Sequence, residues 1–199
     1  RQTVRVVAFV PQTPFIISAS QDHTIHIWDQ DTIDRSLRYL ENEERERRFE
    51  HLAYSPKGDF FAGATNYGSL TIWDAAKGDE VVRDLYAFGS ENPRLSFSPD
   101  GQTLAVADQC KLWLWEVAVG PQPDGTRLDR PSWRKGAVPV LHGSADARFG
   151  REYNRITGVV WAPDGRHFFT SGLDGKILKW AMTKGKKGKA ARVVFTMDG

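Results

Sequence analysis

The sequence predicts an all-β protein built from four four-stranded antiparallel sheets, and two observations support this prediction. A proline and a tryptophan recur together four times along the 199 residues, at distances of 17, 17, 16 and 17 residues. Short apolar runs separated by turn residues surround each pair, whereas helix-forming signals are almost absent. Four copies at nearly constant spacing indicate an internal repeat. The tryptophans that define the repeat are Trp28, Trp73, Trp115 and Trp180.

Each repeat divides into four predicted strands. The first strand ends in an aromatic residue, two positions before the proline that presets the following turn. The second and third strands are short apolar runs, and the third ends at the repeat tryptophan. The fourth strand is more polar, which is typical of an edge strand. It is predicted at about Ser36–Leu40, Glu80–Tyr86, Ala137–His142 and Arg192–Met197.

The repeat divides the chain into four consecutive blocks. Their predicted bounds are residues 1–48, 49–92, 93–155 and 156–199. The third block is the longest because it contains two insertions, at about residues 120–136 and 144–154. The first insertion is rich in Pro and Asp-Gly, so we expect an extended surface loop. Residues 41–50 carry a run of mixed charge between two strands and are predicted to form a connecting loop.

These blocks resemble the WD40 repeat, the four-stranded blade of a β-propeller. Four segments carry the resemblance, the last two more loosely: Ser18–Asp29, Gly63–Asp74, Leu104–Glu116 and Thr170–Trp180. The resemblance implies stacked blades of a WD40-type β-propeller, with the four tryptophans as structural residues. It also implies that Asp22 and Asp174 occupy the turn position of the family's aspartate. In the family, this aspartate joins a histidine, a serine or threonine and the tryptophan in a buried hydrogen-bond chain.

The departures from the family pattern predict how these blades are held together. Tyr67 stands where the second block would have the turn aspartate, and Gln109 or Asp108 stands there in the third. The Gly-His pair that usually precedes a blade is missing, and His142-Gly143 has it reversed. We therefore expect these blades to depend more on apolar packing than on the polar hydrogen-bond chain.

The resemblance also implies that four blocks do not close a ring. A WD40 propeller usually has about seven blades of roughly 40–45 residues, which requires about 300 residues. Four blades in a partial or open ring would leave two uncovered faces and unpaired strand edges. We expect either that the remaining blades come from the same chain or that the chain self-associates.

Composition excludes several classes of protein. The chain has 27 Lys and Arg residues against 25 Asp and Glu residues, a net charge of +2, which argues against a dedicated nucleic-acid binder. No apolar run approaches the roughly 18 residues of a membrane span. The single cysteine, Cys110, excludes an internal disulfide framework and is compatible with a reducing compartment, so we expect a cytoplasmic location.

No motif in the sequence predicts catalysis, a metal or a cofactor. The five histidines lack the ligand spacing of zinc sites and are predicted to be polar turn and sheet-surface residues. A nucleophile elbow and a P-loop are also missing. A catalytic site at the central channel would need acids, bases or ligands converging at the ends of the first strands, and those segments show no such set. We therefore predict that the chain is not an enzyme and requires no cofactor.

The resemblance implies a non-catalytic protein–protein interaction scaffold. In the family, partners commonly contact the narrow top face, which consists of the loops between blades and the turns between second and third strands. Arginine and tyrosine are favoured at interfaces because they combine contact area with polar reach. The candidate partner-binding residues in the predicted top-face loops are Arg45, Arg47, Arg48, Tyr67, Arg148, Arg151 and Tyr153. The alternative is a regulatory or substrate-gating propeller segment of a larger enzyme, such as a kinase or a peptidase.

A basic stretch near the C-terminal end is the last feature of the sequence. From Lys184 to Arg192 it carries five positive charges in nine residues. It is predicted to connect the third and fourth strands of the last block as a solvated, flexible hairpin loop. An anionic partner is the alternative, and salt would weaken such an interaction.

Overall fold

The structure is a computed structural model, and it is all-β. It describes residues 3–11, 13–31, 36–41, 48–75, 79–84, 93–118, 132–135, 140–141, 155–185 and 188–198. Over these residues the chain forms strands and turns and no helix. The strands pair into antiparallel sheets that follow the repeat, which confirms the predicted fold class. The chain forms two compact units, Arg1–Leu95 and Ser96–Gly199.

The first unit contains, in its described residues, two four-stranded sheets in which strands adjacent in sequence are adjacent in space. The strands of sheet 1 are β1 (Val4–Phe9), β2 (Phe15–Ser20), β3 (Thr24–Asp29) and β4 (Ser36–Glu41). The strands of sheet 2 are β5 (Phe49–Tyr54), β6 (Phe60–Thr65), β7 (Leu70–Asp74) and β8 (Glu80–Asp84). Each sheet is an antiparallel meander with its fourth strand at one edge.

The second unit contains the other two sheets of the described chain. The strands of sheet 3 are β9 (Arg94–Phe97), β10 (Thr103–Asp108), β11 (Lys111–Ala118), β12 (Ser132–Lys135) and β13 (Val140–Leu141). The strands of sheet 4 are β14 (Ile156–Trp161), β15 (His167–Gly172), β16 (Lys176–Gly185) and β17 (Gly188–Asp198). Strand β9 begins in the last residues of the first unit, and β12 and β13 both pair with β11.

The repeat seen in the sequence is a cross-strand ladder in the structure. In three sheets the aromatic residue of the first strand pairs with an apolar residue of the second, which pairs with the repeat tryptophan. These ladders are Phe9–Ile16–Trp28, Tyr54–Phe61–Trp73 and Trp161–Phe168–Trp180. Directly opposed residues lie on the same face of a sheet, so each ladder places three large side chains side by side. The rings of Phe61 and Trp73 stack with their centroids 4.8 Å apart.

Each unit has an apolar core in which the tryptophan-bearing face of one sheet packs against an aliphatic face of the preceding sheet. In the first unit the core joins Ile17, Ala19 and Ile25 of sheet 1 to Phe49, Leu52, Phe61 and Trp73 of sheet 2. In the second unit it joins Ala105, Ala107, Leu112 and Leu114 of sheet 3 to Ile156, Trp161, Phe168, Leu178 and Trp180 of sheet 4. Burial of these side chains is the main force that holds the paired sheets together.

The fourth strand of sheet 3 differs from the prediction of one strand over residues 137–142. Two short strands pair with β11 instead, because β11 is eight residues long and offers room for both. Strand β12 pairs with the C-terminal half of β11, and β13 pairs with its first two residues. The prediction of a loop at about residues 120–136 is therefore wrong for Ser132–Lys135, which belong to the sheet.

The predicted flexible loop at Lys184–Arg192 is also wrong over its described residues. Lys184 pairs with Lys189, and Gly185 pairs with Gly188, so that β16 and β17 form one long hairpin. The ladder extends this far because Met182 and Ala191, which pair with each other, both pack against the core of the second unit.

Candidate functional site

The repeat tryptophans of sheets 1 and 4 donate hydrogen bonds to hydroxyl groups. Trp180 Nε1 donates to Thr170 Oγ1 at 2.8 Å, and both residues are buried. Trp28 Nε1 donates to Ser18 Oγ at 2.8 Å, and the Trp28 side chain is partly buried. Each hydroxyl residue stands ten positions before its tryptophan. The serine-or-threonine part of the hydrogen-bond chain that the resemblance implies is therefore present in these two sheets.

Sheet 2 holds its tryptophan with aromatic rings instead. Gly63 stands ten positions before Trp73, and a Cβ atom added there would lie 3.0 Å from ring carbons of both Phe49 and Trp73. The rings of Phe49 and Trp73 meet edge to face, with centroids 5.9 Å apart. In sheet 3 the same position is Ala105, which is fully buried and has no hydroxyl. Two of the four sheets thus lack the hydroxyl at this position.

The two turn aspartates stabilise the turns between second and third strands. Asp22 Oδ1 accepts hydrogen bonds from the backbone N–H and the hydroxyl of Thr24, and Asp174 Oδ1 accepts from the backbone N–H of Lys176 at 3.2 Å. Burial alone would raise the pKa of Asp22, but hydrogen bonds from the Thr24 and Ser20 side chains hold it below its usual value. A carboxylate in this position bridges the turn by local hydrogen bonding.

A polar cluster lies at the upper edge of the first unit, which is the edge where β1 and β5 begin and where β2 and β6 end. Arg5 Nε lies 3.8 Å from one carboxylate oxygen of Glu50, and Arg48 Nε lies 3.9 Å from the other. The Glu50 side chain is 13% exposed, whereas those of Arg5 and Arg48 are 40% and 41% exposed. One enclosed carboxylate therefore holds two accessible guanidinium groups. We call these three residues the Arg5–Arg48 cluster.

Neighbouring amide groups position this cluster. Arg48 donates its backbone N–H to Asn66 Oδ1 at 2.8 Å, and its carbonyl accepts from the Asn66 N–H at 3.0 Å. When the Gln21 amide is oriented with its oxygen toward Arg5, that oxygen accepts from Arg5 Nη2 at 2.7 Å and from Nε at 3.0 Å. Tyr67 follows Asn66 in the turn between β6 and β7, and it is 57% exposed. Arg48 and Tyr67, two of the candidate partner-binding residues, thus lie at one edge.

The other candidate partner-binding residues lie outside the described part of the chain, so their role stays a prediction. They are Arg45, Arg47, Arg148, Arg151 and Tyr153. Sequence reasoning missed Arg5, Glu50 and Asn66. A signal for two of them existed, because Arg5 and Glu50 each stand four residues before the aromatic residue that ends the first strand.

His51 on β5 corrects the expectation that the histidines are surface residues. Its side chain is partly buried, and its burial together with the nearby positive charge of Arg94 lowers its pKa to about 4. The imidazole is therefore neutral at physiological pH.

The described residues hold no group of three or more His, Cys, Asp and Glu side chains that could bind a metal ion. Nor do they form a helix with the length and apolar character needed to cross a bilayer. What the upper edge offers chemically is hydrogen bonding and charge, from two guanidinium groups, two side-chain amides and a phenol.

The sheets are blades of the β-propeller type: antiparallel meanders that stack in pairs, four-stranded in sheets 1, 2 and 4, with a tryptophan near the end of the third strand. The family described as "WD domain, G-beta repeat" (WD40) matches residues 1–29 and 147–181. This match identifies WD40-type repeats in these two regions of the chain. The two matched regions contain Ser18 with Trp28 and Thr170 with Trp180, the two hydroxyl–indole pairs.

Several characterised proteins are similar to this chain over most of its length. Periodic tryptophan protein 2 of Arabidopsis thaliana is 26% identical over 200 residues, covering 98% of this chain and 18% of the relative. Echinoderm microtubule-associated protein-like 2 of Homo sapiens is 27% identical over 191 residues, covering 94% of this chain and 25% of the relative. Actin-interacting protein 1 of Drosophila melanogaster is 22% identical over 154 residues, covering 62% of this chain and 24% of the relative. The chain thus spans a quarter or less of each relative's length.

Proposed function

We propose that this chain is a non-catalytic protein–protein interaction scaffold that binds a partner at the upper edge of the first unit. The observation that carries the proposal is the Arg5–Arg48 cluster next to Tyr67. Arginine and tyrosine are, together with tryptophan, the residue types most enriched among those that dominate binding energy at interfaces. Two hydrogen bonds hold this part of the edge in place, one from the Arg48 N–H to the Asn66 side chain and one from the Asn66 N–H to the Arg48 carbonyl, so less order has to be gained on binding.

The relatives support a protein-binding role. The human relative is by its name a microtubule-associated protein-like protein, and the Drosophila relative is by its name an actin-interacting protein. Both names describe association with other proteins. A chain built from WD40 repeats that is similar to them is expected to bind proteins through the loops and turns that its blades hold.

The proposal is tested by quantitative affinity capture with the chain and with the double variant Arg48→Ala/Tyr67→Ala. We expect the variant to lose at least one specifically captured protein by about tenfold or more, because each residue type contributes roughly 1–2 kcal/mol or more at the centre of an interface. A matched control, Lys57→Ala/Arg166→Ala, removes two exposed basic side chains from the turns at the opposite ends of the sheets. The proposal fails if both variants retain the same captured proteins as the parent chain.

A stability measurement separates lost binding from lost folding. Exposed ion pairs contribute about 0–1 kcal/mol to stability. The free energy of unfolding of Arg48→Ala/Tyr67→Ala should therefore lie within about 1 kcal/mol of that of the parent chain. Urea unfolding followed by circular dichroism checks this. A larger loss would assign these residues to the fold rather than to a partner.

We also propose that further blades, from the same polypeptide or from a second copy, cover two apolar faces of the sheets. On the tryptophan-bearing face of sheet 1, Phe9 is 70% exposed and Val7 is exposed as well. On the face of sheet 4 opposite Trp180, Val160 is 60% exposed and Ile177 is also exposed. These faces are of the two kinds that pack against each other inside each unit, so a further blade of the same type would fit either one.

Light scattering coupled to size-exclusion chromatography tests the self-association arm of this proposal. The 199-residue chain by itself should form concentration-dependent oligomers, and Phe9→Lys/Val160→Lys should reduce their proportion. A monomer that stays soluble at all concentrations would show that these faces need no cover.

A further inference from the structure

Strand β17 is the unusual strand of the structure. Strands β16 and β17 are 10 and 11 residues long, whereas β3, β7 and β11 are 6, 5 and 8 residues long. Strand β17 lies at the edge of sheet 4, and no strand in the described part of the chain pairs with its outer side. A long edge strand offers a row of backbone N–H and carbonyl groups to another extended chain.

Positive charge is concentrated on the hairpin that ends in this edge. Residues 175–197 contain seven of the chain's 27 basic residues and none of its 25 acidic ones, which leaves 20 basic against 25 acidic residues elsewhere. Lys184 and Lys189 pair across the hairpin, and Arg192 on β17 is exposed. Lysine on an edge strand discourages pairing with a like-charged strand, so a second copy of this edge is disfavoured.

Apolar side chains follow the charges along the same strand. Phe195 is 55% exposed, and Val193 and Val194 are exposed as well. A β-bulge opposite Lys179 and Trp180 leaves Val194 without a cross-strand partner in the register of the hairpin. A polyanion that used charge alone would leave Val194 in water, whereas a peptide strand would cover it.

We propose that β17 binds an extended, acidic segment of another protein, which adds to sheet 4 as a further strand. Backbone hydrogen bonds along the open edge supply affinity, as in other cases of β-strand addition. Acidic side chains of the segment face Arg192, and its apolar side chains cover Val194. This surface is separate in sequence from the Arg5–Arg48 cluster, so the proposal does not depend on that site.

Fluorescence anisotropy with a labelled nine-residue peptide of alternating Val and Glu tests the proposal on the full 199-residue chain. The unmodified peptide should bind, and the same peptide N-methylated at alternate residues should bind at least about tenfold more weakly, because N-methylation removes backbone donors. This comparison uses the unmodified chain and does not depend on a variant that folds. Absence of binding, or equal binding of the two peptides, would overturn the proposal.

Charge reversal locates the site. Lys189→Glu/Arg192→Glu should weaken peptide binding about tenfold at low salt, because two attractions become repulsions. The control Lys57→Glu/Arg155→Glu makes the same change in net charge at exposed basic residues that lie neither on β17 nor on the strand that pairs with it, and it should leave binding within about twofold. Single-stranded RNA and anionic phospholipid vesicles serve as competing probes. If either binds the hairpin more tightly than the peptide does, charge alone determines binding and the proposal is wrong.

Discussion

Sheets 4 and 2 stabilise their repeat tryptophans, Trp180 and Trp73, by different contacts. In sheet 4 the indole of Trp180 donates to Thr170 and lies parallel to Phe168, with ring centroids 5.9 Å apart. In sheet 2 Gly63 stands at the position of the hydroxyl residue, and the rings of Phe49 and Phe61 surround Trp73. The position ten residues before the tryptophan can therefore hold one of two kinds of residue. It holds either a hydroxyl residue that accepts from the indole or a glycine that leaves room for a neighbouring ring.

The same difference separates the parts of the chain that match the WD40 family from those that do not. The matched residues, 1–29 and 147–181, include both hydroxyl–indole pairs. Gly63 and Ala105, which replace the hydroxyl residue in the other two sheets, lie outside the match. The strand pairing persists in these sheets although the polar signature does not. Apolar packing of the ladder is therefore the more general requirement of this blade.

The largest expected effect is the loss of a fully buried tryptophan. Trp180→Ala should destabilise the protein by about 3–5 kcal/mol, because it removes a large core side chain and leaves a cavity beside Phe168. Trp28→Ala should cost less, about 1–3 kcal/mol, because Trp28 is only partly buried. Urea unfolding followed by circular dichroism measures both. Equal losses would mean that burial does not distinguish these two tryptophans.

Lowering the pH should destabilise the chain through His51, which lies on β5 of sheet 2. Its pKa is lowered to about 4 in the folded chain, against about 6.5 in the unfolded chain, so the unfolded state takes up the proton first as the pH falls. The contribution of neutral His51 to the free energy of unfolding is complete above pH 6.5. It is lost as the pH falls from about 6.5 to 4, which lowers the free energy of unfolding by up to about 3 kcal/mol.

A matched variant in sheet 4 separates this effect from general acid unfolding. His167 Nδ1 lies 2.7 Å from Asp164 Oδ2 in an exposed turn, where hydrogen bonds from His167 and from the Arg166 backbone lower the pKa of Asp164 to about 2. His51→Gln should flatten the dependence of unfolding free energy on pH between 6.5 and 4, and His167→Gln should not. If His51→Gln keeps the full slope, His51 is not its source.

The smallest expected effect is the loss of the hydroxyl that accepts a hydrogen bond from the partly buried Trp28. Ser18→Ala should cost about 1 kcal/mol or less, because water can replace the hydroxyl as acceptor for the Trp28 indole. Thermal unfolding of the variant measures the loss. If Ser18→Ala destabilised the chain by more than about 2 kcal/mol, the Trp28 indole would depend on its acceptor as strongly as a buried tryptophan does.

The sequence was sufficient for the fold because the repeat has a local physical cause. The spacing of the turn proline and the tryptophan reflects two antiparallel strands of fixed length, and the ladders Tyr54–Phe61–Trp73 and Trp161–Phe168–Trp180 follow from it. The second strands of sheets 1 and 2 begin where the apolar runs begin. Periodicity therefore predicted both the number of sheets in the described chain and their antiparallel pairing.

Pairings that depend on distant residues could not be predicted in this way. Strand β12 pairs with β11 across a long insertion, and nothing in the local sequence of Ser132–Lys135 indicates that register. The Arg5–Arg48 cluster joins residues of two sheets, so it appears only when β1 packs against β5. Burial of His51 likewise depends on the packing around it rather than on its neighbours in sequence.

The most direct test compares Thr170→Val with Gly63→Ser in the same urea unfolding experiment. Thr170→Val keeps the shape of the side chain but leaves the buried indole of Trp180 without its acceptor, so we expect a loss of about 1–3 kcal/mol. Gly63→Ser adds a hydroxyl where a Cβ would already lie 3.0 Å from two rings, so we also expect a loss, about 1–3 kcal/mol, from overpacking. A Gly63→Ser variant as stable as the parent chain, or more stable, would contradict the claim that sheet 2 replaces the hydroxyl with a ring.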